Sequence, residues 1–277
     1  MSVPQGRNGF VSIGGTSYPV LNWMMPPNRN LVAPLPVGNT WQTHFGEGLR
    51  STRFLASFNC REGSGEILAL AFWNRFMSRT WSGGFDDTAT STIIAGNSKS
   101  QYSLANCKAE SFSLAIAKGS IVGLQAVFVA PGIPTPSAHT PSSYAATSSA
   151  SSPLMFDRCT FTGITGNLYG FELTFANNHL PDGRLDGTKT LAAWNAGVAT
   201  CTARFTVDTR ASDAQPFSDG ATIALAMTDG VSTRSFSMTA VVPNNPDDGS
   251  VPSVGQLYQR LDCLVLGGVS TPPLVIS

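Results

Sequence analysis

Large apolar side chains recur at every second position along much of this chain. Between residues 110 and 130, Phe112, Leu114 and Ile116 alternate with Ser113, Ala115 and Ala117. Val122, Leu124 and Phe128 resume the rhythm after Lys118, Gly119 and Ser120. A period of two places the large side chains on one face of a pleated strand. The break carries a glycine, the residue that accepts the positive φ of a tight reversal. The stretch therefore predicts a β-hairpin with one apolar face. The same rhythm predicts strands over residues 52–60, 169–177, 201–208, 221–227, 235–242 and 257–266. In the second of these Phe171, Leu173 and Phe175 share a face. In the third, Cys201, Ala203, Phe205 and Val207 point one way and Thr202, Arg204, Thr206 and Asp208 the other. Asn177-Asn178 and Asp229-Gly230 supply turns.

One stretch breaks the period. From 66 to 79, Ile67, Leu70, Trp73 and Met77 recur at three and four, with Leu68, Phe72 and Phe76 as a second row. That is helix spacing. Ser64 or Gly65 is placed to cap it, Glu66 suits its first turn and Arg79 its last. A helix apolar over most of its circumference belongs in a core or an interface. After it, residues 81–106 read as a loop with SGGFDD, followed by short strands near 92–94 and 102–104.

Composition divides the chain. Residues 1–39 read as an extended arm, because Pro4, Pro19, Pro26, Pro27, Pro34 and Pro36 interrupt regular elements. Within it, residues 12–20 form a short hairpin over Gly14-Gly15. Residues 21–25 are apolar and cover either their own domain or a neighbouring subunit. Residues 40–130 form a first β domain. Residues 131–153 are rich in Pro, Ser and Ala and read as a linker or a long loop. Residues 154–268 form a second β domain, and 269–277 a C-terminal tail. An excursion over 178–200 interrupts the second domain. Each half has an early strand and an alternating hairpin, so a duplication is suspected from pattern alone.

Charged residues make up only 12% of the 277, about half the usual share, and Lys plus Arg equal Asp plus Glu at 17 each. A neutral surface does little to repel its own copies, and it argues against binding nucleic acid through phosphate neutralisation. No apolar run is long enough for a membrane-spanning helix. The first ten residues lack the apolar core of a secretory signal, so the chain is expected to stay where it is made. Cys60, Cys107, Cys159, Cys201 and Cys263 are odd in number and widely spaced, which predicts buried thiols rather than disulfides or zinc.

Candidate chemistry is sparse. His44, His139 and His179 show neither metal-ligand spacing nor a neighbouring acid, although a triad dispersed in sequence stays possible. There is no GxSxG, phosphate loop or dinucleotide fingerprint. Gly163 to Gly166 reads as a turn. The run from Asp182 to Gly187 only faintly resembles a calcium loop. The pairs Asp86-Asp87 and Asp247-Asp248 are explained by turns. No cofactor and no enzymatic activity are expected.

The hairpin over residues 110–130, closed by Pro131, resembles the lumen-forming hairpin of bacteriophage tail tube proteins. The strand-then-helix order over 53–79 is similar to that family too. So are FELTFANNHLP, ATCTARFTVD and YQRLDCLVL in the second half, and the likeness covers residues 40–130 and 154–268. It implies a mainly β fold: two tail-tube-like β-barrel or β-sandwich domains in tandem with one flanking helix. It implies a structural role in a virion assembled in the host cytoplasm, with rings stacked around a lumen that conducts DNA. A two-domain chain would close a ring as a trimer, against a hexamer for one-domain subunits. Partners would be further copies, a tape measure protein and double-stranded DNA in the lumen, and sheath or baseplate proteins. The lumen or ring-interface candidates are Ser111, Ser113, Ala115, Ala117, Lys118 and Ser120. The long arm and the 131–153 segment also fit a baseplate or tail-terminus ring. A carbohydrate- or receptor-binding β-sandwich is the alternative from another class, with Trp23, Trp41, Trp73, Trp81 and Trp194 as stacking platforms. An enzyme with a dispersed site is a third.

Overall fold

A computed structural model describes residues 10–28, 31–32, 46–47, 49–61, 67–82, 85–96, 100–137, 152–183, 191–208, 216–244, 258–268 and 271–277. The protein is mainly β, built on one antiparallel sheet, and no barrel closes among the described residues. In chain order the main elements are β1 (Phe10–Ile13), β2 (Thr16–Pro19), β3 (Asn22–Met24), β4 (Ser51–Asn59), α1 (Leu70–Met77), β5 (Thr90–Gly96), β6 (Gln101–Ala117), β7 (Gly123–Pro131) and β8 (Thr135–Ser137). They continue with β9 (Cys159–Thr162), β10 (Leu168–Ala176), β11 (Thr200–Asp208), β12 (Ala221–Thr228), β13 (Thr233–Pro243), β14 (Tyr258–Leu266) and β15 (Leu274–Ile276).

The alternating segments become strands with their large residues inside. Phe112, Leu114 and Ile116 on β6, Phe171, Leu173 and Phe175 on β10, and Cys201, Ala203, Phe205 and Val207 on β11 are all buried. Lys118 and Gly119 turn β6 into β7, with Gly119 at φ +75°. The Ser12–Val20 hairpin forms as β1 and β2 over Gly14 and Gly15, whose φ values are +58° and +87°. Asn22–Met24 then pairs with β4 of its own chain, so this part of the N-terminal segment packs on its own sheet.

Strand pairing follows one scheme twice. In the first half the order across the sheet is β1-β5-β6-β7-β4-β3, with β8 added beside β6. In the second half it is β9-β12-β13-β14-β11-β10, with β15 added beside β13. The seven strands of each of these two sets match in both chain order and place in the sheet, whereas β2, paired outside β1, has no counterpart among the described residues. A short hairpin also recurs between corresponding strands. Leu31–Val32 pairs with Gly46–Glu47 between β3 and β4, and Leu180–Asp182 pairs with Ala193–Asn195 between β10 and β11. The halves join where β6 pairs with β10, from Ser111 opposite Ala176 to Ala117 opposite Gly170.

Several expectations are corrected. The helix is Leu70–Met77, not 66–79: its N-cap is Ala69, without a side-chain cap bond, and Arg79 already belongs to a strand, Arg79–Ser82, paired with Phe85–Thr88. That hairpin captures the chain before the last predicted turn can form, and it includes Asp86-Asp87, expected in a turn. Ser64, Gly65 and Glu66 lie outside the described residues. The short strands near 92–94 and 102–104 are longer than expected. The second fuses with the main hairpin strand into the 17-residue β6, because neighbours are present along both its edges. In the Pro-rich segment, Thr135–Ser137 is a strand of the sheet, Pro153 bridges Arg61 and Leu154 is buried; residues 138–151 lie outside the described residues. The stretch expected as a tail supplies β15, with Leu274 in the core.

One apolar cluster runs through both halves. The helix is wedged into it. Phe72, Trp73 and Phe76 are fully buried, and the Trp73 ring meets Phe112 of β6 at 5.2 Å and Phe236 of β13 at 4.8 Å, both edge-on. Aromatic pairs in this geometry add to the energy of burial itself.

Candidate functional site: the outer face of the shared sheet

Because side chains alternate, the sheet turns a second set of residues away from the core. Ser111, Ser113, Ala115 and Ala117 lie on this face of β6. Ser111 and Ser113 are half-buried; Ala115 and Ala117 are exposed. Register extends them into rows across the seam. Ser113 stands between Gln125 of β7 and Thr174 of β10, its Oγ 3.2 Å from Thr174 Oγ1, and the row continues through Thr202 to Leu264. The next row is Gly123, Ala115, Glu172, Arg204 and Asp262. Most positions are small or hydroxylated, so the face is smooth and wettable rather than sticky.

In that row a single cation, Arg204, is shared by two carboxylates, which leaves the group with one net negative charge. Arg204 donates from Nη1 to Glu172 Oε2 at 2.9 Å and from Nε to Asp262 Oδ1. The hydrogen bond to Asp262 raises the guanidinium above its ordinary value, burial opposes this, and the two carboxylate charges add to the rise. A shallow cleft of about 260 Å³ lies here, lined by Glu172, Thr174, Thr202, Arg204, Asp262 and Leu264 among others. Both its carboxylates are already engaged by Arg204, so neither is presented as a free acid or base.

The remaining two candidates sit in the turn. Lys118 Nζ lies 4.5 Å from the centroid of the Tyr169 ring, and its backbone N–H donates to the Tyr169 carbonyl at 2.8 Å. Tyr169 in turn meets Tyr258 edge-on at 4.7 Å. Ser120 donates its backbone N–H to Ala117 and accepts one from Phe156. The turn of the first half is thus stitched to β10 of the second. The structure brings all six candidates onto one connected surface.

A second group of polar side chains comes together only in the fold. Ala109 faces Phe128 and Ser111 faces Val127, so Glu110 is the extra residue of a β-bulge. The bulge re-aims its carboxylate inward, where Oε2 accepts the His179 backbone N–H at 3.0 Å and lies 2.5 Å from His179 Nδ1. His179 therefore does have an acidic partner, 69 residues away in sequence. Burial pushes the Glu110 carboxyl up. The hydrogen bonds from the His179 ring and backbone, with the charges of His179 and Arg53, outweigh burial and hold it below its usual value. Next to it Asn177, fully buried, donates from Nδ2 to the carbonyls of Phe76 at 2.9 Å and Ala109 at 2.8 Å. Its backbone N–H reaches the Glu110 carbonyl at 2.7 Å. Asn178 follows at φ +51° to make the turn. One knot thereby ties the helix end, the bulge of β6 and the exit of β10. The readable signal was Asn177-Asn178-His179 closing an alternating strand, with a lone Glu110 opening another.

Four of the five thiols are buried and Cys159 is half-buried; burial pushes each up to about 12, which makes them inert core residues. Among the described residues no three His, Cys, Asp or Glu side chains group to hold a metal, and no helix is long and apolar enough to cross a membrane. His44, His139, Asp247-Asp248 and residues 184–187 of the calcium-like run lie outside the described residues. Gly163 and Gly166 sit at φ +84° and +95°, as a turn requires. Of the five tryptophans, Trp73 is core, while Trp23 and Trp194 are half-buried. The chain matches no protein-family model and no curated protein.

Proposed function

We propose that the protein is a structural subunit of a bacteriophage tail tube: two tube units in tandem that continue their sheet from copy to copy into a ring around a DNA-conducting bore. The carrying observation is the repeated strand order together with the place where the repeats join. Inside the chain, β6 of the first unit accepts β10, the leading edge of the second. By the same scheme the end of β13 corresponds to the part of β6 that accepts β10, and β3 is the counterpart of β10. β3 is an outermost strand of the sheet, whereas β13 lies inside it, already paired with β12, β14 and β15. Joining the end of β13 of one copy to β3 of the next would repeat the internal seam and cover the β3 edge, which is how sheets avoid uncontrolled pairing.

A ring of three copies would place about 24 strands in the wall. At a spacing of about 4.8 Å and a tilt of about 40° the circumference is on the order of 150 Å, giving a bore roughly 40 Å across after side chains. The outer face described above would line it. Its Ser, Thr, Ala and Gly positions and its Glu172–Arg204–Asp262 group, net negative with its one cation already paired, let a polyanion pass without being held.

Negative-stain electron microscopy and mass photometry of the purified full-length chain test this. Rings with a central hole, alone or stacked into tubes, are the expected result. A monomer at all concentrations that binds immobilised glycans would favour the carbohydrate-binding alternative instead.

A further inference from the structure

The hairpin inserted between β10 and β11 does not stay on its own unit. Ala193–Asn195 lies against β7, Leu191 donates its backbone N–H to the Arg50 carbonyl at 3.2 Å, and Gly183 approaches the Leu49 side chain. Leu191 is buried by this contact. The hairpin therefore covers the pole of the first unit where β4 begins and β7 ends.

The corresponding pole of the second unit, where β11 begins and β14 ends, is not covered by any described residue. A groove of about 1060 Å³ lies there, lined by Phe175, Cys201, Val265, Leu266, Pro272 and Pro273 among others, with no charged residue. Leu266 on its wall is 49% exposed. An apolar hollow of this kind marks a contact surface.

We propose that this groove is the seat of a second copy's hairpin, the one formed by Leu31–Val32 and Gly46–Glu47. That hairpin holds the place in the first unit that the β10–β11 hairpin holds in the second. Its covered counterpart within the chain shows what such a hairpin does: it leans across the seam onto the preceding unit. The preceding unit for the first half of one copy is the second half of another. Its own groove is out of position, because β4 and β14 are five strand steps apart, about 24 Å at ordinary strand spacing. The chemistry matches as well: residues 31–47 include Leu31, Val32, Leu35, Val37 and Trp41 and only one formal charge, Glu47. This inference rests on the ring reading and adds the partner segment and its seat.

The test uses two full-length variants, Leu266→Asp in the groove and Val32→Asp in the hairpin, with folding checked by circular dichroism and mass by mass photometry. Each variant alone is expected to lose assembly by at least tenfold in the midpoint concentration. Mixed in equal amounts they are expected to form a heterodimer and stop, because the mixture contains one intact junction of hairpin and groove. Should Leu266→Asp assemble at the wild-type concentration, or the folded variants fail to pair, the groove is not the seat, while rings of the wild type leave the ring reading intact. A wild-type chain that never assembles overturns both. Leu266→Ser, expected to weaken assembly less than Asp does, separates the loss of apolar contact from the effect of a charge.

Discussion

The two halves of this protein share a strand order yet solve their cores differently. The first half places a helix between β4 and β5, and its Phe72, Trp73 and Phe76 fill the space under β4, β6 and β7. No helix is present among the described residues between β11 and β12. There the core is closed by rings from strands and loops: Phe161 on Phe171, Phe171 on Phe205, and Phe205 on Phe217 at 5.6 Å. The helix of the first half also reaches across, because Trp73 packs on Phe236 of the second half. A repeated topology therefore does not make two independent beads. The unit that carries the helix lends it to the other, and the seam between β6 and β10 becomes part of one core.

The sharpest way to break that relation is Trp73→Ala. Removing a fully buried ring that touches both halves should cost about 3–5 kcal/mol, read as a fall in the denaturant midpoint. The wild type should unfold in one transition seen alike by tryptophan fluorescence and circular dichroism. Two separated transitions would mean that the halves are independent after all.

A smaller effect is expected at the knot that ties the seam. The Glu110 carboxyl is held below its ordinary value, so its contribution to stability is fully present above the unfolded-state value of about 4.3 and is lost as pH falls through the lower folded-state value. Glu110→Gln should lower stability at neutral pH and flatten this part of the acid limb. An unchanged slope of stability against pH below about 4.3 in the variant would remove Glu110 from the account.

The least effect is expected on the open face. Glu172, Arg204 and Asp262 are exposed or close to it, and pairs of this kind contribute at most about 1 kcal/mol, screened by salt. Arg204→Ala should scarcely move the unfolding midpoint, and less so in high salt. A loss comparable to that of Trp73→Ala would show the outer face to be structural rather than a lining.

The pattern of side chains along the chain was enough to predict the long alternating strands, the faces they bury and the turns at Gly119, Gly14-Gly15 and Asp229-Gly230, but not the short strands Thr135–Ser137, Cys159–Thr162 and Leu274–Ile276. The features it predicted depend on period and local backbone freedom, which neighbouring residues settle among themselves. It also put Ser111, Ser113, Ala115 and Ala117 on one face, since alternation alone requires that. Which strand lies beside which was another matter. A period of two names a face and not a neighbour, so neither the seam of β6 with β10 nor the extension of β6 to 17 residues was readable. The helix was legible in kind and misjudged in length, because a tertiary hairpin took Arg79. The Glu110–His179 pair was missed because a bulge turned the carboxylate inward, and a bulge is visible only once two strands are in register. Local sequence thus determined the elements. Contacts between residues far apart in the chain decided their order, the shared core and the groove at one pole.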